Sequence, residues 1–210
     1  MTKNNFFLII EGIDGAGKST VAKYIYKELS SKIKINITAE PTSGDVGKLV
    51  EDISYERNNN GMLLTLLYTA DRIIHSKDIN DLIERGESVI CDRYMYSTVA
   101  YQAVQLYDMK IFDRTDNALQ WLLNLQKMSV SYIPDIKIYI DITPEIAISR
   151  ISSKSKIHPF EKKQFLDRVR NNYLSIMDIE KNWIVVNGSE PYDKTGNYII
   201  NTLKNKNFIT

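Results

Sequence analysis

The chain has 210 residues, of which 43% are hydrophobic and 25% charged, and its formal net charge is +1, as in an ordinary globular domain. The near-zero charge argues against a nucleic acid or a membrane surface as a partner, and no apolar run approaches the roughly 20 residues that span a bilayer. The length suits a single domain over residues 1–210. Because the single cysteine, Cys91, excludes an internal disulfide and no Cys/His cluster has zinc-site spacing, we expect a reducing, cytoplasmic setting.

The first element is an apolar run over residues 6–10, which predicts a buried strand, and residues 21–29 continue with helical spacing. Between them, residues 12–19 fit G-x-x-x-x-G-K-[ST], a phosphate-binding loop whose glycines let backbone N–H groups turn toward an anion. The N-terminus of the following helix carries a partial positive charge, which also favours a bound anion. We therefore predict a nucleoside triphosphate site that comprises Gly12, Ile13, Asp14, Gly15, Ala16, Gly17, Lys18, Ser19 and Thr20. Lys18 is predicted to reach the β- and γ-phosphates, and the Ser19 hydroxyl to bind Mg²⁺.

Further apolar runs alternate with segments of helical spacing along the rest of the chain. The predicted strands are residues 35–40, 87–92, 136–141 and 183–187. The predicted helices are residues 44–56, 62–85, 96–106, 116–128, 145–151, 161–180 and 192–204. This alternation predicts an α/β fold in which a five-stranded parallel sheet has helices on both faces. Side chains that follow the carboxyl ends of the strands should converge on one cleft.

The segment after the third strand, Asp92-Arg93-Tyr94, carries a second group of candidate residues. An acidic side chain at a strand end opposite a phosphate-binding loop can act on Mg²⁺, and the adjacent arginine can bind a phosphate with two parallel hydrogen bonds. The alternative is a surface Asp92–Arg93 pair beside tyrosines that pack a helix. A GTPase is disfavoured, because the nearest match to its guanine-binding Asn-Lys-x-Asp motif, residues 205–208, lacks the aspartate.

Taken together, these segments resemble the thymidylate kinase family, whose members phosphorylate dTMP with ATP. The similarity runs in order through residues 7–20, 40–41, 66–72, 92–102, 134–141 and 165–173. It implies a P-loop kinase fold with a short lid at about residues 152–160. It also implies phosphorylation of dTMP to dTDP with ATP and Mg²⁺ in dTTP biosynthesis, and a homodimer.

The resemblance also implies roles for individual residues of the dTMP site. Tyr68 takes the place of an aromatic residue, usually Phe, that stacks on the thymine ring. Arg72 would donate a hydrogen bond to a base carbonyl, Arg93 would hold the dTMP phosphate, and Tyr101 would pack under the deoxyribose. The full implied substrate site is Asp14, Glu40, Tyr68, Arg72, Arg93, Ser97, Thr98, Tyr101 and Gln102. For Arg72, the alternative is an ion pair with Asp71 or Glu84 on a solvated face.

Metal, ATP-base and catalytic roles follow from the same resemblance. The implied Mg²⁺ residues are Ser19, Asp92 and Glu40, and Arg150 would flank the ATP base. The implied catalytic set is Lys18, Arg93, Asp14, Asp92, Lys154 and Lys156.

Two positions depart from the family pattern. Ala39 stands where many relatives carry arginine. Gly15 stands where one branch places an arginine over the transferred phosphoryl group. We assign that charge to Lys154 or Lys156 of the lid, with an ordinary solvated basic loop as the alternative.

Three other functions remain open at the level of the sequence. A deoxynucleoside kinase would need a carboxylate base for a 5′-hydroxyl, for which Glu40 or Asp92 could serve. A kinase for another monophosphate, such as dUMP, would differ only in the base pocket. A nucleotide-binding module without catalysis is the alternative from a different class.

Overall fold

The computed structural model describes residues 5–55, 60–151 and 163–209. Its single sheet contains β1 (Phe7–Glu11), β2 (Ile35–Ala39), β3 (Ser88–Asp92), β4 (Ile136–Asp141) and β5 (Trp183–Asn187). The strands lie in the order β2-β3-β1-β4-β5, and every neighbouring pair is parallel. The predicted five-stranded parallel sheet is confirmed, and the strand ends agree with the prediction to within one residue.

Eight helices alternate with these strands in the described part of the chain. They are α1 (Lys18–Leu29), α2 (Asp45–Ser54), α3 (Gly61–Glu84), α4 (Met95–Asp108), α5 (Thr115–Ser129), α6 (Pro144–Ile151), α7 (Lys163–Ile179) and α8 (Tyr192–Asn205). Local sequence explains both ends of the long α3. The Asn60 side chain accepts hydrogen bonds from the N–H groups of Met62 and Leu63, and Gly86 follows the last turn with φ +79°.

Helices cover both faces of the sheet, as predicted. Parallel strands are joined by right-handed crossovers, so the direction of each step along the strand order sets the face on which the connecting helix lies. The step from β1 to β2 runs in one direction and places α1 on one face. The steps from β2 to β3, β3 to β4 and β4 to β5 run in the other direction. Accordingly, α1 packs against α8, whereas α4 packs against α3, α5 and α7.

The carboxyl ends of the strands meet at one edge of the sheet. The N–H of Glu40, after β2, donates to the carbonyl of Asp92 at 3.1 Å, and the N–H of Arg93 donates to the carbonyl of Ile10 at 3.0 Å. The N–H of Gly188, after β5, donates to the carbonyl of Asp141 at 2.8 Å. Central β1 is fully buried, so its end delivers Glu11 and the phosphate-binding loop to the middle of this edge.

The predicted lid, about residues 152–160, lies outside the described residues, together with Lys154 and Lys156. The start of the predicted helix 161–180 also lies outside them. In the part of the chain that is described, no helix combines the length and the apolar character needed to cross a membrane.

Candidate active site

The loop between β1 and α1 curves tightly against β4 and α6. Gly12, Gly15 and Gly17 have φ values of +149°, +82° and +89°. A Cβ at Gly12 would lie 2.6 Å from the carbonyl oxygen of Ile140, and one at Gly15 would lie 2.5 Å from that of Ala147. Both contacts are far shorter than van der Waals distance, so any larger residue at Gly15, including the arginine of one family branch, requires this backbone to move.

Lys18 occupies the curve of the phosphate-binding loop. Its side chain is 6% exposed, and Nζ donates a hydrogen bond to the carbonyl of Ile13 at 3.0 Å. Burial lowers the pKa of Lys18 to about 8, and the nearby positive charge of Arg93 acts in the same direction. An anion in the loop would favour the charged ammonium. Lys18 is therefore placed to respond electrostatically to a bound phosphate.

Ser19 and Asp92 form the part of the site that fits a divalent cation. The Ser19 hydroxyl donates to Oδ2 of Asp92, while the buried Oδ1 of Asp92 has no hydrogen-bond partner among the described residues. A buried carboxylate oxygen without a partner is costly, and a cation would satisfy it. Within the described ranges, no group of three or more His, Cys, Asp or Glu residues could hold a metal by itself. Mg²⁺ suits such a sparse site, because it usually takes one or two protein ligands together with substrate phosphates and water.

A cleft of about 260 Å³, here named the Arg72–Arg93 cleft, opens beside this loop. It contains every residue that the sequence assigned to the substrate: Asp14, Glu40, Tyr68, Arg72, Arg93, Ser97, Thr98, Tyr101 and Gln102. The side chains come from the ends of β1, β2 and β3 and from α3 and α4. The remaining lining residues, which the sequence prediction missed, are Pro41, Glu51, Ser54, Tyr55 and Tyr94.

Arg93 lies at the junction of the cleft with the phosphate-binding loop. Its Nη2 forms an ion pair with Asp14, its Nη1 donates to the Ser97 hydroxyl at 3.1 Å, and its guanidinium carbon lies 5.3 Å from the centre of the Tyr101 ring. Tyr101 in turn donates to Oδ2 of Asp14 at 3.0 Å. The alternative of an Asp92–Arg93 surface pair is wrong, because Asp92 bonds to Ser19 and Arg93 pairs with Asp14.

Arg72 is 1% exposed and is held by four other side chains or backbone groups. Its Nε and Nη2 donate to Oε2 of Glu40 at 2.9 and 2.5 Å, and its Nη1 donates to Gln126. The same Nη2 contacts the Tyr94 carbonyl at 3.2 Å and the Thr98 hydroxyl at 3.0 Å. A guanidinium has five N–H groups, so one N–H on Nη1 has no partner among the described residues.

The alternative of a solvated Arg72 paired with Asp71 or Glu84 is therefore wrong. Asp71 accepts hydrogen bonds from the backbone and hydroxyl of Thr42 instead.

Glu40 supports Arg72 with one oxygen and contacts His75 with the other. Nδ1 of His75 lies 3.0 Å from Oε1 of Glu40, and Nε2 of His75 lies 2.7 Å from the Thr38 hydroxyl. Because both oxygens of Glu40 contact protein groups, a direct role as a metal ligand would require these contacts to break. Of the three predicted metal residues, Ser19 and Asp92 are hydrogen-bonded to each other, whereas the Glu40 carboxylate contacts Arg72 and His75.

Tyr68 and Gln102 complete the walls of the cleft. Tyr68 lies one turn before Arg72 on α3, so both can face the same space. Burial raises the pKa of Tyr68 to about 12, so its phenol stays neutral well above physiological pH. Gln102 is buried and donates from Nε2 to Oε1 of Gln105 at 2.9 Å. This bond limits the rotation of the Gln102 amide within the cleft.

A second cavity of about 380 Å³, here named the Arg150 cavity, is also lined by residues of the phosphate-binding loop. It combines predicted triphosphate residues with the loop between β5 and α8: Ala16, Gly17, Thr20, Val21, Ile140, Arg150, Gly188, Ser189, Glu190, Pro191, Tyr192 and Thr195. Nη1 of Arg150 lies 3.4 Å from the carbonyl oxygen of Gly15. The sequence prediction missed the residues of the β5–α8 loop, although their place after a strand was an available signal.

Comparison with known proteins identifies the family. A family model described as thymidylate kinase matches residues 10–199. The chain belongs to the thymidylate kinase family. A protein of Staphylothermus marinus named probable thymidylate kinase is 35% identical over 198 residues, which cover 92% of each chain. A protein of Saccharolobus solfataricus named probable thymidylate kinase 1 is 39% identical over 187 residues, with 87% of this chain and 88% of the relative covered. The thymidylate kinase of the Aster yellows witches'-broom phytoplasma is 32% identical over 208 residues, with 94% and 96% covered.

The main omission of the sequence prediction is the group of residues around the Glu40–Arg72 pair, in which Gln126 contacts Arg72 and His75 contacts Glu40 and Thr38. His75, Gln126 and Thr38 come from α3, α5 and β2, and they meet only in the folded protein. The position of His75, three residues after Arg72 on one helix, was the single local signal for this cluster.

Proposed function

We propose that this protein transfers the γ-phosphoryl group of ATP to dTMP and so forms dTDP. The observation that carries the proposal is that two guanidinium groups, those of Arg72 and Arg93, line one cleft beside a phosphate-binding loop. Arg93 is partly exposed and can meet a phosphate, whereas Arg72 is buried and has one N–H without a partner among the described residues. A nucleoside monophosphate carries the two matching groups, a phosphate and a base.

The base is selected, in this proposal, by the chemistry of Arg72. A guanidinium only donates hydrogen bonds, so the available N–H favours a base carbonyl over the amino group of cytosine. The ring of Tyr68 offers a face on which a pyrimidine stacks. Tyr101, whose hydroxyl is tied to Asp14, packs under the deoxyribose and leaves no room for a 2′-hydroxyl. Thr98 lies beside the base edge, because its hydroxyl already contacts Arg72.

The transfer itself depends mainly on alignment and charge compensation. ATP lies along the loop of residues 12–20, with Lys18 at the transferred phosphoryl group and Arg150 beside the base. Ser19 and Asp92 would hold Mg²⁺, which would neutralise phosphate charge. Arg93 holds the phosphate of dTMP, which is already anionic and needs no strong general base. Lys154 or Lys156, in a lid of the same domain, supplies further positive charge.

The deoxynucleoside kinase alternative gains no support from the site. Such an enzyme would need a carboxylate base for a 5′-hydroxyl. Of the two candidates, Glu40 contacts Arg72 and His75, and Asp92 contacts the hydroxyl of Ser19. The Arg93 guanidinium, in contrast, suits an acceptor that carries a phosphate.

We also infer a homodimer that forms through α3. Leu63, Leu66, Ile73 and Ile74 of this helix are exposed in the isolated chain. Large apolar side chains grouped on one helix favour burial against a partner. The lone cysteine, Cys91, is buried in the core and is consistent with an enzyme of the reducing cytoplasm.

The test is ATP-to-ADP turnover with Mg²⁺ on dTMP, dUMP, dCMP, dGMP and thymidine, with product analysis. We expect preference for dTMP and formation of dTDP. The margin over dUMP should be the smallest, since one methyl group discriminates by only about 10- to 200-fold. Turnover of thymidine but not dTMP would make the protein a nucleoside kinase. ATP binding without turnover of any acceptor would contradict the proposed reaction.

A further inference from the structure

Glu11 is a fully buried carboxylate between the sheet and the phosphate-binding loop. It ends β1 and directly precedes Gly12. Its Oε1 accepts hydrogen bonds from the backbone N–H groups of Tyr94 at 2.9 Å and Ser97 at 3.2 Å. Its Oε2 accepts from the Ser97 hydroxyl at 2.5 Å and from the Tyr173 hydroxyl at 2.9 Å. One side chain thus joins β1 to the start of α4 and to α7.

The segment that Glu11 holds has an unfavourable backbone conformation. Arg93 is not glycine, yet its φ is +68°, in the left-handed region. Tyr94 then returns to extended values of φ −151° and ψ −150° before α4 begins at Met95. Such a conformation persists only where its surroundings determine it. The hydrogen bonds from Tyr94 and Ser97 to Glu11 supply that constraint on the residues immediately after Arg93.

Ser97 extends the constraint from the backbone to the guanidinium of Arg93. A serine hydroxyl has one proton and two lone pairs. Because Glu11 receives the proton, a lone pair of Ser97 remains for Nη1 of Arg93 at 3.1 Å. Burial raises the pKa of Glu11, while the hydrogen bonds from Ser97 and Tyr173 act against that rise and favour the ionised form that receives both protons.

We propose that Glu11 is a positioning residue for the acceptor phosphate, which orients Arg93 through Ser97 and the Tyr94–Ser97 backbone, with Tyr173 of α7 as a second support. The inference rests on the proposed function in one respect, namely that Arg93 binds the phosphate of the acceptor. It assigns a role to the last residue of β1, which is not expected to touch either substrate.

The variant Glu11→Gln tests this role while it keeps the size of the side chain. Its amide oxygen can still accept from Tyr94 and Ser97, but its NH₂ group now faces the two hydroxyl oxygens. Ser97 must then accept from Gln instead of donating to Glu11, so its proton and its remaining lone pair are redistributed between Arg93 and the Tyr173 hydroxyl, which lies 3.0 Å away. We expect KM for dTMP to rise about 10-fold, as for the loss of one hydrogen bond to a charged group, with KM for ATP changed by less than about twofold.

Three further variants separate positioning from general stability. Asp135→Asn is the matched control, because Oδ2 of Asp135 accepts from the N–H of Phe7 at 2.9 Å at the opposite end of β1. It should leave both KM values unchanged. Tyr173→Phe should raise KM for dTMP less than Glu11→Gln does. The double variant Glu11→Gln with Ser97→Ala should be no worse than the more severe single variant, since Gln keeps the backbone hydrogen bonds and both substitutions act on Arg93 through the Ser97 hydroxyl.

Amide hydrogen exchange in the free protein gives a readout without any substrate. The N–H groups of Tyr94 and Ser97 should exchange faster in Glu11→Gln than in the wild type or in Asp135→Asn. If the wild type does not phosphorylate dTMP, only the proposed function is contradicted. Amide exchange, together with the kinetics of the acceptor that the wild type uses best, then still tests the role of Glu11. Unchanged exchange, or equal rises of KM for both substrates, would overturn the positioning role.

Discussion

Glu40 and Arg72 form a buried ion pair in which Oε2 lies 2.5 Å from Nη2, and neither side chain is more than 3% exposed. The two residues are 32 positions apart, on the loop after β2 and on α3. Inside a protein, removal of one member of such a pair leaves the other charge buried without compensation. The pair therefore joins the stability of the fold to the shape of the Arg72–Arg93 cleft.

The first prediction concerns the variant Glu40→Gln. It should lower the free energy of unfolding by about 3–5 kcal/mol, because the charge of Arg72 remains buried. It should also raise KM for dTMP, because Arg72 loses its main orienting contact. Urea denaturation measures the stability, and Asp116→Asn, at the exposed pair with Arg114, is the control. The control should change stability by less than about 1 kcal/mol, and an equal loss in both variants would contradict the argument.

The second prediction concerns the variant Arg93→Lys. Lysine keeps the positive charge but lacks the planar guanidinium that donates two parallel hydrogen bonds to a phosphate. Arg93→Lys should reduce kcat/KM for dTMP by about 10²–10³, as for loss of one preorganised electrostatic donor. Binding of ATP alone, measured by calorimetry, should stay within about threefold of the wild type, because Arg93 serves the acceptor. Comparable losses of ATP affinity and acceptor turnover would instead place Arg93 in the ATP site.

The third prediction follows from the pKa of Lys18, which burial lowers to about 8. The charge of a bound triphosphate raises this pKa, so the complex holds a proton that the free protein has partly lost above pH 8. ATP binding should therefore take up a proton at pH 8–9, and the affinity should fall as the pH rises through this range. Calorimetry in two buffers with different ionisation enthalpies measures the uptake. Lys18→Met should abolish it, and proton uptake that persists in that variant would assign it to another group.

The fourth prediction separates backbone strain from steric overlap at glycine. Gly15 and Gly86 have similar φ values, +82° and +79°, but only a Cβ at Gly15 would meet other atoms, 2.5 Å from the carbonyl oxygen of Ala147. Gly86→Ala should cost about 1–2 kcal/mol of stability through strain and leave ATP binding intact. Gly15→Ala should cost more and weaken ATP binding. If Gly15→Ala and Gly86→Ala had equal effects on stability and on ATP binding, the backbone near Ala147 would have moved to accept the new Cβ.

The fifth prediction concerns the proposed dimer. Replacement of Leu66 and Ile73, both exposed on α3, by glutamate should convert a dimer into a monomer, because each buries a charge in the apolar interface. Light scattering after size-exclusion chromatography gives the mass directly. Met128→Glu, at an exposed position on α5, is the matched control and should not change it. A wild-type chain that elutes as a monomer at micromolar concentration would exclude the dimer.

The sequence predicted the fold well because the signals for the sheet are local. Residues 136–141 form one apolar run after Pro134 and Asp135, and the observed strand β4 has the predicted bounds. The phosphate-binding loop is equally local, since its contacts join residues only a few positions apart, such as Lys18 and Ile13. In the described part of the chain, the residues assigned to the substrate were also placed together, because they follow neighbouring strands or share one helical face.

The partners of buried charges were not predicted, because they come from distant segments. For Arg72, the sequence offered Asp71 and Glu84 of the same helix as ion-pair partners. The observed partners, Glu40 and Gln126, lie 32 and 54 residues away. Adjacent helical residues point in different directions, which explains why Asp71 faces Thr42 instead. Glu11 has no sequence signal beyond its place before Gly12, and its partner Tyr173 is 162 residues away.

The network around Arg72 also bears on how the base preference of this protein can change over generations. Glu40, Thr98, Gln126 and the carbonyl of Tyr94 together take up four of its five N–H groups, and each is fitted to a guanidinium. A single substitution of Arg72 for a residue suited to another base would leave the Glu40 carboxyl buried, with His75 as its one remaining side-chain partner among the described residues. A lineage that adopted a new acceptor base would have to replace several of these residues almost at once. The acceptor preference should therefore drift more slowly than the surface, and relatives that keep Glu40 and Arg72 should keep the same base.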